Sequence, residues 1–308
     1  MAHFNFLRQM IFDGRGAPEA PGARPTPQTW RNDGITGSCL GHSTVLLNFL
    51  GARVLTDPVF SLRAGPGFGP FILGPKRHVE PALRPKDFPP PDVILLSHAH
   101  FDHFDSASLR KFSRDTTVVT ARATRDLLRR FRHVHEVHWG ESVTLTVRGE
   151  PLRIQAIPVA HWGARMMRDT HRGYNGYELE RGERAICFAG DTAFTETFAA
   201  LRARQRGLDL AIMPIGAYDP WIRAHCTPEQ AVAMAEQAGA KYFVPIHHQT
   251  FKLSSEPMAE PAARLRAAFA EAPHRLLAVD VGETFRVPLA PDGSPVISGL
   301  RQDVSPLR

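Results

Sequence analysis

Hydrophobic and polar positions along this chain fall into two kinds of block. Short apolar runs, rich in β-branched residues and bounded by Gly, Pro, Asn or Asp, read as strands. They occupy residues 37–49, 53–60, 93–96, 116–120, 153–160, 174–180, 184–188, 208–214, 241–246 and 276–287. The first two read as a strand pair joined at Gly51, and 174–180 with 184–188 as a hairpin turning at Arg181-Gly182. Helices are predicted over 123–131, 195–205, 227–239 and 258–272; Thr227 caps the third, with Pro228 in its first turn. Asp105 or Ser106 can cap a further helix through Leu109 to Phe112. Strands alternating with helices predict an α/β layered class.

Several of these strands stop at a residue able to bind a metal. The run Val93 to Leu96 is followed by Ser-His-Ala-His-Phe-Asp-His, which places His98, His100, Asp102 and His103 within six positions. Side chains alternate along a strand, so His98 and His100 project to one side, and Asp102 and His103 follow in the turn. Neutral imidazole and carboxylate are the donors that borderline divalent ions prefer, and a cluster at this spacing is rarely an incidental polar loop. Two directions of approach suit two adjacent ions better than one, and four residues do not close two sites. The runs at 153–160, 185–190 and 241–246 supply more ligand types, leading into His161, Asp191 and His247. In open α/β sheets, sites gather at the carboxyl ends of strands.

Those residues match a family pattern. The chain resembles the metallo-β-lactamase-fold hydrolases through Ser-His-Ala-His-Phe-Asp-His (97–103), His161, Gly-Asp-Thr (190–192), His247, Leu-Gly-His-Ser-Thr-Val (40–45) and Leu-Thr-Asp-Pro-Val-Phe (55–60). Within that superfamily it is most similar to the branch of the N-acylphosphatidylethanolamine-hydrolysing phospholipase D. The signs are Gly-Pro-Lys-Arg (74–77), His-Trp-x-x-Arg (161–165), Met-Pro-Ile-Gly-Ala-Tyr-Asp-Pro (213–220), His225 with Thr-Pro-Glu-Gln-Ala (227–231), and Ile-His-x-x-Thr-Phe (246–251). The ascorbate-phosphate lactonases share part of this pattern. The resemblance implies a four-layer αββα sandwich with a dinuclear metal site at one edge. It implies His98, His100 and His161 on one ion, Asp102, His103 and His247 on the other, and Asp191 between them. Asp57 would orient a ligand histidine. His248 is the rival to His247, which the Ile-His-x-x-Thr-Phe alignment favours.

Two divalent ions, expected to be Zn with Mn or Fe as alternatives, would share a solvent molecule and yield a bridging hydroxide near neutrality. Asp102 would steer it, and His225, with an imidazole pKa near working pH, would protonate the leaving group. Trp162, Arg165, Tyr218 and Trp221 are the expected pocket residues, with Phe60 as a further aromatic of the pocket wall. This apolar wall suits a small molecule or lipid with a hydrophobic part. Phosphodiester hydrolysis is the leading reading, with a lactonase or other carbonyl ester or amide hydrolase as alternative and a nuclease behind both. A non-catalytic scaffold would have lost ligands, and all seven are present.

Composition narrows the context. The formal charge of +6 comes from an excess of Arg spread along the chain, without a basic cluster interleaved with aromatics, so no nucleic-acid partner is expected. Arg77 and Arg165 are the expected contacts to an anionic substrate. Cys39, Cys187 and Cys226 form no Cys-x-x-Cys pattern and fit a reducing compartment. No run approaches the length of a membrane span and the first residues do not read as a signal, so a cytoplasmic location is expected. Residues 1–30 read as an arm, 31–290 as a single hydrolase domain and 291–308 as a loose tail. The apolar start of the arm offers a peripheral membrane or homodimer contact, with packing on its own domain preferred. The Gly- and Pro-rich segment 61–91 reads as a long loop over the site.

Overall fold

The computed structural model describes residues 16–68, 71–166, 169–203 and 207–288. Fifteen strands are found there: β1 (Ile35–Gly41), β2 (Thr44–Phe49), β3 (Ala52–Thr56), β4 (Gly67–Phe68), β5 (Phe71–Ile72), β6 (Val93–Leu96), β7 (Thr117–Ala121), β8 (Val134–Val137), β9 (Ser142–Val147), β10 (Glu150–Ile157), β11 (Gly176–Arg181), β12 (Arg184–Phe188), β13 (Leu208–Pro214), β14 (Ala240–Ile246) and β15 (Thr284–Arg286). Three α-helices accompany them: α1 (Ser106–Leu109), α2 (Pro228–Gln237) and α3 (Glu260–Ala268). One sheet has the order β15-β1-β2-β3-β6-β7-β8 and the other β14-β13-β12-β11-β10-β9, while β4 and β5 form a small hairpin.

The near-continuous apolar character of the strands follows from burial on both faces. Along β2, Val45, Leu47 and Phe49 point into the layer between the sheets, and Leu46 points outward. Along β6, Val93 and Leu95 face in while Ile94 and Leu96 face out. The second sheet answers with Leu152, Ile154, Tyr177, Leu179, Ile186, Phe188, Leu210, Ile212 and Val244 on its inner face. Its outer face, with Cys187, Ala211 and Met213, is covered by Ala231, Met234 and Ala235 of α2 and Ala262 and Leu265 of α3. Leu109 of α1, Phe112 and Leu128 cover the outer face of the first sheet. The result is the expected four-layer αββα sandwich. Each fully buried Leu, Ile, Val or Phe contributes about 1.5–3 kcal/mol, so the inter-sheet layer dominates the packing energy.

The strands β3, β6, β7 and β8 run parallel, as do β12, β13 and β14. Their carboxyl ends therefore open along one edge of the sandwich. The run 37–49 is a hairpin rather than one strand: the chain turns at Gly41 and His42, whose φ values are 129° and 56°. Predicted helices shrink where short sequences must connect strands. Residues 123–131 hold only a 3-10 turn at Arg125–Leu128, and 195–205 one at Thr197–Ala203. The capping prediction for Thr227 is met by a full capping box with Gln230. Asp105 caps α1, accepting from the Ala107 amide, and the helix ends at Leu109, short of Phe112. Of the run 276–287, only Thr284–Arg286 pairs as a strand.

The segment 61–91 is tied down by backbone bonds from Arg77 N to Leu62 O and from His78 N to Thr250 O. Residues 16–30 lie along the domain, with Glu19 bridging Val79. The apolar start of the arm and the tail 291–308 lie outside the described residues. Among the described residues, no helix is long and apolar enough to cross a membrane.

Candidate metal centre

Six strand ends meet at the open edge. Asp57 follows β3, His98 to His103 follow β6, His161 follows β10, Asp191 follows β12, His225 sits in the connection after β13, and His247 follows β14. The turns that deliver them are backbone-demanding. His42, Asp57 and His247 are non-glycine residues with positive φ, at 56°, 32° and 62°. Such conformations persist only where the surroundings impose them, and they concentrate at functional sites. Gly190 has φ 61°, and a Cβ there would stand 2.7 Å from that of Ser97. Only glycine lets β12 pass close enough to β6 to set Asp191 under the histidines.

Two donor groups result. His98 Nε2 lies 2.8 Å from His100 Nδ1, and His161 Nε2 is 3.2 Å from the same atom. In the second group, Asp102 Oδ2 lies 3.6 Å from His103 Nε2 and 3.4 Å from His247 Nε2. Asp191 Oδ2 stands between them, 3.1 Å from His103 and His247, 3.8 Å from His161 and 4.0 Å from His98. Within the first group the donor atoms lie within 4.8 Å of one another, as do those of the second together with a nitrogen of His42, and those of His161, Asp191 and His225. The structure thus brings all seven sequence-predicted ligand residues to one point. His248, the rival, is buried but contributes to none of these groups.

The surrounding bonds set the tautomers. Ser97 Oγ donates to Asp57 Oδ2 at 2.6 Å and accepts from His98 Nδ1 at 2.9 Å. His103 Nδ1 donates to Asp57 Oδ2 at 2.7 Å, and His161 Nδ1 to the Ala224 carbonyl at 2.8 Å. Each of these three imidazoles therefore turns a bare Nε2 lone pair inward, the state a metal ligand needs. The Nε2 atoms of His100, His103 and His247 and Asp191 Oδ1 are buried without hydrogen-bond partners. Buried polar atoms are normally satisfied. A divalent cation would satisfy His103, His247 and Asp191 at once, so the donor set fits one.

Burial and the neighbouring charges pull the groups of the site in opposite directions. Burial opposes charge on His103, yet Asp191, Asp102 and Asp57 together raise it well above the usual imidazole range. Burial likewise opposes charge on His247, and Asp191 and Asp102 lift it to about 9. Burial drives His98 and His161 well down and His100 to about 4. Burial disfavours the Asp191 carboxylate, but His103 and His247 hold it well below the usual range.

The other expected residues divide. Trp162 is 45% exposed and packs over the site, its ring centroid 4.7 Å from His100 and 4.5 Å from His161. His225 is buried, with Nδ1 3.9 Å from Asp191 Oδ2. Burial lowers its pKa to about 4, below the value expected from sequence. Trp221 is 40% exposed, and its carbonyl accepts from the His225 amide. Tyr218 instead sends its hydroxyl to Glu260 at 2.7 Å, with Arg264 over its ring, so it joins α3 rather than lining the centre. Arg165 Nη1 donates to the Ala99 and Phe104 carbonyls at 2.8 and 2.7 Å, and the guanidinium lies 4.0 Å from the Phe101 ring centroid. It braces the loop carrying His100 to His103 rather than waiting for an anion. Arg77 is equally committed, to the Val59, Ser61 and Val79 carbonyls. Phe60 is core, packed near Phe88 and Phe112.

His42 is the site residue to which the motif reading gave no role. Its Nε2 lies 3.0 Å from Asp102 Oδ2, and its ring centroid is 4.2 Å from that of His247. The signal was in Leu-Gly-His-Ser-Thr-Val: a histidine at a strand-ending glycine.

The family described as a beta-lactamase superfamily domain matches residues 52–248. The chain belongs to this superfamily. As a member it is a metal-dependent hydrolase with a His/Asp cluster able to bind metal. It is 30% identical over 249 residues to N-acyl-phosphatidylethanolamine-hydrolyzing phospholipase D 1 of Caenorhabditis elegans, a match spanning 76% of this chain and 69% of that protein. An uncharacterized protein of Mycobacterium tuberculosis is 32% identical over 275 residues, 85% of this chain and 72% of that one. Among solved structures, the isothiocyanate hydrolase from Delia radicum gut bacteria superposes with a TM-score of 0.64 at 17% identity, over 82% of this chain and 99% of that one. At that identity the likeness shows the fold alone.

Proposed function

We propose that this superfamily member is a dinuclear hydrolase of phosphodiesters that carry an apolar group. One observation carries the reading: the donors His98/His100/His161 and Asp102/His103/His247, the latter with His42 beside them, lie on the two sides of Asp191 Oδ2. The phosphodiester preference is supported by the similarity to the phospholipase D of Caenorhabditis elegans. The nitrogen and oxygen donor set suits Zn, and admits Mn or Fe. Bound divalent ions supply a Lewis acid and lower the pKa of bound water.

The chain's own residues do the rest. Asp57, Ser97 and the Ala224 carbonyl hold three imidazoles in the tautomer that points Nε2 inward. Arg165 fixes the loop from Ala99 to Phe104. Asp102 is the carboxylate placed to orient an attacking water. His225, neutral at pH 7 because of its burial, offers a ring N–H to the leaving oxygen rather than a full positive charge. The exposed Trp162, Phe194, Trp221 and Ile222, on the connections after β10, β12 and β13, form an apolar rim for the lipid-like part of the substrate.

The test is metal content together with turnover of bis-p-nitrophenyl phosphate, an acyl-phospholipid, a lactone and a β-lactam. Two ions per chain with phosphodiester turnover are expected. Fewer than two ions under metal-replete conditions overturns the dinuclear centre, and carbonyl turnover without phosphodiester turnover makes the protein a lactonase or related carbonyl hydrolase.

A further inference from the structure

His42 is buried beside one half of the centre, with a ring nitrogen within 4.8 Å of the donor atoms of Asp102, His103 and His247. Its side chain reaches Asp102 Oδ2 at 3.0 Å, and its main chain reaches His247. The His42 carbonyl accepts from the His247 amide at 3.1 Å, and its own amide donates to Thr250 Oγ1 at 2.6 Å. Asp102 and His247 belong to one donor group but come from positions 145 residues apart (247 − 102), and His42 touches both.

Two roles are open to a buried imidazole there: a further ligand, or a donor that holds a ligand. Geometry favours the second. His103 and His247 each bring Nε2 to 3.1 Å from Asp191 Oδ2, the oxygen shared by both groups. His42 instead brings Nε2 to Asp102 Oδ2 at 3.0 Å, nearer than His103 (3.6 Å) or His247 (3.4 Å) come to the same oxygen. Its Nδ1 is buried with no hydrogen-bond partner. A bare Nδ1 lone pair costs less there than an unpaired N–H, so the proton sits on Nε2. The Nε2–H then meets the Asp102 carboxylate at 3.0 Å.

We propose that His42 is a positioning residue. It donates Nε2–H to Asp102 Oδ2 and holds that carboxylate at a set angle to His247. Its φ of 56°, just after Gly41, turns the ring inward between β1 and β2. This rests on the dinuclear reading above and names the group that sets one half of it. Removing His42 leaves the His98/His100/His161 group intact and loosens the other.

The experiment measures metal stoichiometry and affinity by chelator competition for the wild type, His42→Ala, His42→Gln and His42→Asn, with kcat and KM on bis-p-nitrophenyl phosphate. A Gln amide nitrogen reaches roughly where Nε2 lies, whereas an Asn amide stops near Nδ1. His42→Ala and His42→Asn are expected to keep one ion tightly and to bind the second about 10- to 100-fold more weakly. His42→Gln is expected to recover near wild-type affinity, and at saturating metal the loss falls on kcat with KM unchanged. Unaltered binding of both ions by His42→Ala overturns the inference. So does a His42→Gln no better than His42→Asn, which would make the imidazole nitrogen a direct ligand. If His42→Ala fails to fold, the Gln and Asn pair carries the same decision. A wild type with fewer than two ions overturns the dinuclear reading, and the inference falls with it.

Discussion

Replacing Asp57 by Asn changes one atom and reaches the metal centre through a single tautomer. Asp57 ends β3 with no exposed surface. Its Oδ1 accepts from the Ser97 amide at 2.7 Å, and its Oδ2 accepts from the Ser97 hydroxyl at 2.6 Å and from His103 Nδ1 at 2.7 Å. In Asp57→Asn the one remaining oxygen keeps the Ser97 amide, and the new amide N–H groups face His103 Nδ1. That nitrogen must then accept, so the ring proton moves to Nε2, the atom 3.1 Å from Asp191 Oδ2. A ligand lone pair is replaced by a hydrogen. Loss of such an orienting partner weakens metal binding by about 10- to 100-fold. That is about 1.4–2.8 kcal/mol of binding free energy. The assay is chelator competition on the purified protein, with thermal melts taken with and without metal. The loaded protein should lose most of its metal-dependent stabilisation, while the ion-free melt moves much less. Unchanged affinity, or equal destabilisation in both states, refutes the tautomer argument.

Further outcomes follow from the same geometry. His225→Ala should lower turnover by about 100- to 1,000-fold, the loss of one hydrogen-bond donor to the leaving oxygen, with two ions still bound; full turnover at intact metal content removes His225 from the reaction. Trp162→Ala should raise KM for a substrate with an acyl chain by about 10-fold, from some 1.4 kcal/mol of lost apolar contact, and leave small phosphodiesters unaffected. Equal effects on both substrates would show that Trp162 supports the ligand rings instead. Tyr177, fully buried in the second sheet, donates its hydroxyl to the Leu96 carbonyl of the first at 2.8 Å. Tyr177→Phe removes that bond, and with it the hydroxyl that accepts from Asn175 Nδ2 at 3.2 Å, and should cost about 1–2 kcal/mol in chemical denaturation; no change would mean that the inter-sheet bond contributes nothing net.

Local pattern and tertiary assembly divide this protein cleanly. His98, His100, Asp102 and His103 were legible because their spacing on a strand end and its turn is itself a metal-ligand pattern, independent of the rest of the chain. The buried strands were legible too, since burial on both faces demands unbroken apolar runs. One connection misled: residues 123–131 read as a helix, yet hold only a 3-10 turn at Arg125–Leu128, where the Glu136 carboxylate takes the Thr124 and Arg125 amides. Side-chain direction was also beyond sequence reasoning. Tyr218 and Arg165 lie beside motif residues, but one turns to Glu260 and the other to backbone carbonyls, because those partners come from elements distant in sequence. The sequence by itself determined the chemistry of the donors and the class of the fold. The stacking of two sheets is what brings His161, Asp191 and His247, named by the family pattern, within bonding distance of the cluster, and it alone decided that His42 reaches Asp102. Ligation and hydrogen bonding act over about 3 Å, a distance that sequence separation does not encode.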